Sequence, residues 1–451
     1  MSHSTLRPEL LMPAGNFQKL KFAIAYGADA VYAGVPVFSL RARENGFKRD
    51  AIRAAIEYTH KQGKQIYLTM NIYAHNRKVD KFMEMFHEMA DMQPDGFIMT
   101  DPGLIQLSLQ ARPETVIHLS TQANATNWAT VKFWRDLGVR RIILPRELTI
   151  EEIADTRSRV PDIELESFVH GAICISYSGR CLISNYLNLR DANQGTCTNS
   201  CRWQYQLAVE QGSLLDTENL PENGEVYKPL QENYRLKEAN PHEGRYADAE
   251  YEIDEDEHGT YIMNSKDLCA IELLSELRAA GVCSFKVEGR NKSLYYAAIT
   301  ARAYRRAIDD LIAGRSFDSN NFKELASTSN RTFTSGFLKR NPRHTAINYD
   351  DGDSLPTTHR FAGIVIDYNP STGRATVIVK NRLQLGDTVE WIHPHQNVTI
   401  TIDAISKSNG ESVTEAHGGL EYQIPSPFEP DEYTLLRQPL AMNTTIAERT
   451  L

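Results

Sequence analysis

From the N-terminus to about residue 315, short apolar runs alternate with stretches whose apolar residues recur every three to four positions. The runs Glu9–Met12, Ala30–Ala33, Gln65–Met70, Gly96–Met99, Val116–Leu119, Arg141–Leu144 and Ile163–Val169 predict strands, and Tyr261–Met263 and Ser284–Val287 add two more after a long interruption. Helical periodicity covers Asn16–Tyr26, Asp50–Gln62, Lys81–Met92, Trp128–Leu137, Asp267–Ala280 and, longest of all, Lys292–Ala313. Such alternation specifies parallel strands joined by crossover helices. Nine strands are one more than an eight-stranded barrel needs, so one of them, near residue 9 or 262, is expected to be a short extra strand or a plug.

A closed barrel is favoured over an open doubly wound sheet for two reasons. No G-x-G-x-x-G follows an early strand, and polar residues collect at the C-terminal ends of the strands, where barrel enzymes carry their chemistry. Residues 206–260 break the rhythm and end in the acidic run Asp254-Glu255-Asp256-Glu257, which reads as a solvated loop or small irregular subdomain. Beyond residue 358, Gly and Asp turns separate the β-type runs Ala362–Asp367, Ala375–Val379, Thr388–Ile392, Val398–Ile402 and Glu432–Leu436. The expected architecture is therefore a (β/α)8 TIM-type barrel with a cysteine-bearing insertion, plus a small C-terminal all-β barrel domain. Its boundaries are 1–318 for the barrel, with the excursion at 170–260, then a connector at 319–358 and the β domain at 359–451.

Composition narrows the setting. No apolar run approaches the roughly 18 residues of a membrane span, and the first residues carry no signal pattern, which predicts a cytoplasmic protein without a membrane partner. A net charge of −9 gives no global attraction to nucleic acid, so RNA contact requires a local basic patch. One stretch offers it: Asn330–His344 interleaves Arg331, Lys339, Arg340 and Arg343 with Phe333 and Phe337, although a solvated linker explains it equally well.

Chemistry concentrates in the cysteines. Four of six, Cys174, Cys181, Cys197 and Cys201, fall within 28 residues in a C-x6-C-x15-C-x3-C pattern. Thiolates in such a group suit structural zinc or an iron–sulfur cluster. C-x6-C is too wide for a zinc knuckle, which favours a [4Fe–4S] cluster; zinc and free thiols remain open. The fourth ligand is the weakest assignment, since Cys269, just inside a predicted helix start, is an alternative to Cys201. In Lys286-Val-Glu288-Gly-Arg290, alternation sends Lys286 and Glu288 to one side of a strand, forming either a structural ion network or an anion pocket. Lys286, Glu288 and His170 are the candidate catalytic groups. Arg146, Arg290, Gln122 and Asn124 are the candidate substrate-binding groups. The chain lacks H-E-x-x-H, G-x-S-x-G, a Walker loop and the C-x3-C-x2-C radical triad.

The run from Glu166 to Ser184, with Cys174 and Cys181 inside it, resembles the signature of the family historically labelled peptidase U32. Met12–Asn16, Ser120–Asn127, Leu144–Glu147, Asn264–Cys269 and Lys286–Arg290 extend the resemblance across about residues 9 to 345. Length and a single trailing domain resemble the members that hydroxylate tRNA. The resemblance implies formation of 5-hydroxyuridine at wobble position 34, prephenate as the hydroxyl source, and a cluster on Cys174, Cys181, Cys197 and Cys201. It also implies a tRNA anticodon loop as partner and an electron donor of unknown identity. Related members hydroxylate 23S ribosomal RNA or a ubiquinone precursor. The rival readings are a U32-type protease with Cys174 or Cys181 as nucleophile, and a zinc-stapled RNA-binding scaffold.

Overall fold

The computed structural model describes residues 7–40, 46–174, 176–181, 184, 191–194, 205–209, 234–238, 250–252, 255–256, 259–260, 266–328, 332–339 and 358–440. Eight parallel strands close on themselves: β1 (Glu9–Ala14), β2 (Ala30–Gly34), β3 (Gln65–Met70), β4 (Gly96–Met99), β5 (Ile117–Leu119), β6 (Arg141–Ile143), β7 (Glu164–Ala172) and β8 (Val282–Val287). Closure comes from β8, which pairs in parallel with β7 on one side and β1 on the other, setting Glu9 against Ser284. Between and after them run α1 (Phe17–Ala25), α2 (Arg49–Lys61), α3 (Val79–Ala90), α4 (Pro102–Ala111), α5 (Trp128–Leu137), α6 (Ile150–Arg159), α7 (Leu274–Ala279) and α8 (Leu294–Ile312). The strands are buried along nearly their whole length, as expected of a parallel sheet covered on both faces.

The strand at residue 9 is thus a full barrel strand and not a plug, while Tyr261–Met263 lies outside the described residues. The predicted helix Asp267–Ala280 is also corrected. Its first residues, Asp267–Cys269, form a strand antiparallel to the far end of β7, and the regular helix is only Leu274–Ala279. β7 overshoots the barrel by several residues, and its unpaired backbone takes Asp267–Cys269 as a partner, overriding the local periodicity. The connector holds a helix, α9 (Asn320–Ala326), and a two-residue strand, Phe333–Thr334. Within the excursion, Tyr205–Val209, Tyr234–Glu238 and Glu250–Glu252 form an antiparallel three-stranded sheet, and the acidic Glu255–Asp256 pairs with Gly259–Thr260.

Helix starts explain several polar residues at the mouth. Asn16, Asp101, Asn127, Thr149 and Ser293 each accept a backbone N–H of the first turn of the following helix. Thr149 and Glu152 complete a capping box. These side chains are used up in building the barrel.

The trailing residues form an all-β unit. Eight antiparallel strands pair in the order Asn397–Thr401, Thr388–Ile392, Leu435–Pro439, His359–Asn369, Arg374–Val379, Glu421–Pro425, Ile405–Lys407, Ser412–Val413, and Leu383–Gln384 pairs separately with Glu415–Ala416. Trp391, Val365, Val377 and Ile424 lie in its core. It docks on α1, α8 and α9. Tyr26 donates its hydroxyl to the carbonyls of Ile392 and Tyr433 at 3.1 and 2.8 Å. Buried Arg437 reaches Glu390 at 2.6 Å and Glu324 at 2.8 Å, and Arg302 reaches Glu324 at 2.5 Å.

Candidate functional site

Above the barrel core, at the C-terminal ends of the strands, lies a cavity of about 200 Å³. Gln122, Arg146, Cys174, Cys181, Lys286, Glu288 and Arg290 all line it. The structure therefore brings together seven of the eleven residues singled out from sequence. Cys197 and Cys201 lie outside the described residues. His170 and Asn124 are not among the lining groups.

The floor is charged and rests on a chain of ions that fills the barrel. Lys286 Nζ is 2.7 Å from Glu166 Oε1, Glu166 Oε2 is 3.1 Å from Arg141 Nη1, and Arg141 Nη1 is 2.6 Å from Glu9 Oε1. Tyr67 and Ser284 donate their hydroxyls to Glu9 at 2.7 and 2.8 Å. Burial pushes the Glu166 carboxyl up, but Lys286 and Arg141 outweigh it and hold the group below the usual carboxylate range. Burial pulls Lys286 below the ordinary ammonium range, an effect its attraction to Glu166 only partly offsets. Lys286 sits 4.3 Å from the centre of the Tyr32 ring, and Glu166 is its one hydrogen-bond acceptor among the described residues. An ammonium has three donors, so two are left without an acceptor among the described residues, in a group that lies against Tyr32 and lines the cavity.

Arg146 is the second open cation. Its guanidinium stacks 3.8 Å from the centre of Phe168. It makes no ion pair with the described residues, and its buried Nε has no hydrogen-bond partner among them. Arg290 differs: Nη1 donates to Thr69 Oγ1 at 3.0 Å and Nη2 donates to the Leu40 carbonyl, so it is already committed to the wall. Glu288 accepts the Ala172 N–H at 3.4 Å. Gly171, at φ +104°, lets β7 pass the Glu288 backbone, whose carbonyl oxygen a Cβ would meet at 2.5 Å.

The opposite wall is built of amides with a fixed orientation. Asn71 Oδ1 accepts the backbone N–H of Leu40 at 3.1 Å, so its Nδ2 must donate, and it does so to Gln122 Oε1 at 2.9 Å. Thr100 and Ser120 donate to the same oxygen, both at 3.2 Å. Gln122 Nε2 then faces Asn193 Oδ1 at 3.3 Å. Gly179, at φ +73°, brings the cysteine loop over this wall, where a Cβ would lie 2.1 Å from the Gln122 carbonyl oxygen.

His170 sits behind the cavity, 1% exposed, ringed by Tyr296, Tyr304 and Phe333. Burial, then Lys292, lowers its pKa to about 3, and Tyr304 Oη lies 3.3 Å from Nδ1. Phe333, in the Asn330–His344 stretch, packs on His170 and Phe322, while Arg331, Arg340 and Arg343 lie outside the described residues. Asn124 holds a left-handed backbone (φ 53°) ahead of α5, with Oδ1 buried and without a partner among the described residues. Cys269 ends a strand instead of opening a helix, and burial pushes its thiol up to about 12. By contrast Cys174 is exposed and Cys181 half-buried at the mouth. Sequence reading passed over Glu9, Arg141 and Glu166. The signal was present: ionisable residues inside strands that must be buried on both faces have to pair with one another.

The model of peptidase family U32 matches residues 15–348, and that of the peptidase family U32 C-terminal domain matches residues 357–437. The chain is 44% identical to tRNA hydroxylation protein P of Haemophilus influenzae and 44% identical to tRNA hydroxylation protein P of Escherichia coli, in each case over 97% of this chain and 98% of the relative. It is 30% identical to the 23S rRNA 5-hydroxycytidine C2501 synthase of Escherichia coli over 70% of this chain and 41% of that protein.

Proposed function

The chain belongs to peptidase family U32, and from that premise we propose that it hydroxylates a base of tRNA in the cavity at the mouth of its barrel. Relatives named for tRNA hydroxylation match it nearly end to end, and one named for 5-hydroxycytidine synthesis in ribosomal RNA matches most of it. The observation that carries the reading is the composition of one cavity: two thiols at the rim, two cations with open donors, and a rigid amide wall.

In its specific form, the product is 5-hydroxyuridine at wobble position 34, prephenate is the hydroxyl source, and a [4Fe–4S] cluster is the redox group. The donor set fits such a cluster as far as it is described, since Cys174 and Cys181 both reach the cavity rim. Cys197 and Cys201 would complete the set. A bound cluster supplies one-electron chemistry that no side chain here can provide. The remaining tasks fall to the protein. Arg146 offers a planar fork to one carboxylate of a dicarboxylate, and Lys286 offers a point charge to the other. Glu166 fixes the Lys286 ammonium in place. Gln122 and Asn193 present amide groups to the edge of a heterocycle, and an anticodon loop delivers its base already splayed.

Proteolysis finds no support at this cavity. Among the described residues no histidine lines it beside Cys174 or Cys181, and His170 is enclosed behind the wall.

Two measurements test the proposal. Nucleoside profiling of tRNA from a deletion strain should show loss of 5-hydroxyuridine-type nucleosides and recovery on complementation. Unchanged levels in a strain without a parallel oxygen-dependent route would refute it. Protein purified without air should contain iron and acid-labile sulfide in equal amounts; zinc without sulfide would overturn the cluster.

A further inference from the structure

Beside the cavity, and sharing Gly179 and Asn193 with it, lies a second and more open groove of about 300 Å³. Tyr73 forms part of its lining; its hydroxyl donates to the Gln122 carbonyl at 3.1 Å, tying the groove to the amide wall of the cavity. Bracing is extensive: Tyr73 N–H donates to the Asn193 carbonyl at 3.2 Å, and Lys78 Nζ donates to Gln194 Oε1 at 2.8 Å. The groove is thus a built surface that continues the cavity.

Its charges are sorted. His75 and Arg180 line it, and Arg77 stands on the adjacent turn; all three are exposed, and their side chains make no ion pair or hydrogen bond with the described residues. The nearby acids are engaged by backbone donors. Asp191 accepts the Asn193 N–H at 2.8 Å, and Asp101 caps α4 while also accepting the Ala74 N–H at 3.3 Å. Tyr177, on the cavity rim one turn before Arg180, is 60% exposed, an unusual position for a large aromatic ring. Two arginines unpaired among the described residues beside an open groove, with an exposed ring at its junction with a closed cavity, match the chemistry of single-stranded nucleic acid: phosphates along the groove, a base on the ring.

The geometry points to this groove as the track for the RNA backbone next to the base that enters the cavity, with Arg77 and Arg180 on phosphates and Tyr177 stacking a neighbouring base. The inference rests on the tRNA reading and extends it to a surface and its partner. In a chain with net charge −9, it places attraction for RNA at the mouth of the barrel.

The test is binding of the full chain to an unmodified tRNA transcript bearing uridine at the wobble position, titrated from low to moderate salt. The double variant Arg77→Ala/Arg180→Ala should bind about 10-fold more weakly and show a salt slope shallower by about 1.4, roughly 0.7 for each lost phosphate contact on a single strand. Tyr177→Ala should lose about 10-fold with the slope unchanged, because stacking releases no counterions. Arg180→Lys should retain the slope, and Arg53→Ala, an exposed arginine on α2, should behave as wild type. If wild type binds tRNA and the double variant matches it in affinity and slope, the groove assignment is overturned while the tRNA reading stands. If wild type binds no tRNA at all, both fall.

Discussion

Inside the barrel, Glu9, Arg141, Glu166 and Lys286 form a chain of alternating charge; between the barrel and the trailing domain, Arg302, Glu324, Arg437 and Glu390 form another. Each joins two cations through shared carboxylates, Arg141 also holding Glu164 at 2.8 Å, and both are largely withdrawn from water. They differ in how they end. The interface cluster spends its Nη groups internally: Arg437 uses Nε on Glu390, Nη2 on Glu324, and Nη1 on Tyr295 and Ser327, while Arg302 fills its Nη groups with Glu324, Asn397 and the His393 carbonyl and leaves only its buried Nε without a partner among the described residues. The barrel cluster ends in an ammonium with donors to spare, facing the cavity. A closed cluster fixes two surfaces together; an open one holds a charge ready for a ligand.

The largest expected effect breaks the closed cluster. Glu324→Ala leaves buried Arg302 without a carboxylate and Arg437 with Glu390 alone, and should destabilise the protein by about 3–5 kcal/mol. Thermal or denaturant unfolding checks it, and a shift within error would mean the interface is not held by these ions. Next, Lys286→Met removes the open end. Hydroxylation should fall by about 10²–10³-fold, the scale for losing a preorganised charge at a reacting centre. The melting temperature should drop less than for Glu324→Ala, because Glu166 keeps Arg141. Equal activity would place Lys286 with the structural ions.

Arg146→Ala sharpens the contrast further, since this cation belongs to neither cluster. Turnover at subsaturating anionic co-substrate should fall by about 10–100-fold, corresponding to one charge-assisted bond of about 1.5–3 kcal/mol, with melting unchanged. Arg146→Lys should recover only part, lacking both the fork and the stacking on Phe168. A last prediction, read along pH and not at one pH, concerns His170, in the wall behind the cavity. Its folded pKa of about 3 lies below the unfolded value near 6.5. Between those values only the unfolded chain takes up the proton, so stability falls as pH drops from 6.5 towards 3, by at most about 1.4 kcal/mol per pH unit for this one group. His170→Gln should flatten that slope in part, since buried His118 and half-buried His359 act in the same sense.

Sequence made visible what depends on near neighbours. Gln65–Met70 and Gly96–Met99 are strands with the expected bounds, because a run of apolar residues between turns has few other uses in a parallel sheet. The alternation in Lys286-Val287-Glu288 correctly put both ionisable residues on one side, and both line the cavity. What stayed hidden depends on distant partners. Asp267–Cys269 reads as a helix start until β7 overshoots and captures it. Arg141 pairs with Glu9 across 132 positions and Glu166 with Lys286 across 120, and nothing local marks either pair. The groove lined by Tyr73, His75 and Arg180 stays hidden for the same reason: its residues come from two loops that meet only when the barrel closes.

The first and last strands of the barrel meet at β1 and β8, and the helices that follow them, α1 and α8, carry Tyr26 and Arg302. The trailing sheet grips both of those residues, so it straddles the one join in the cylinder made by the two ends of the barrel sequence. A sheet placed there works as a buckle on a belt. Cutting it away would let the hoop spring at its fastening and slacken the floor on which Lys286 stands.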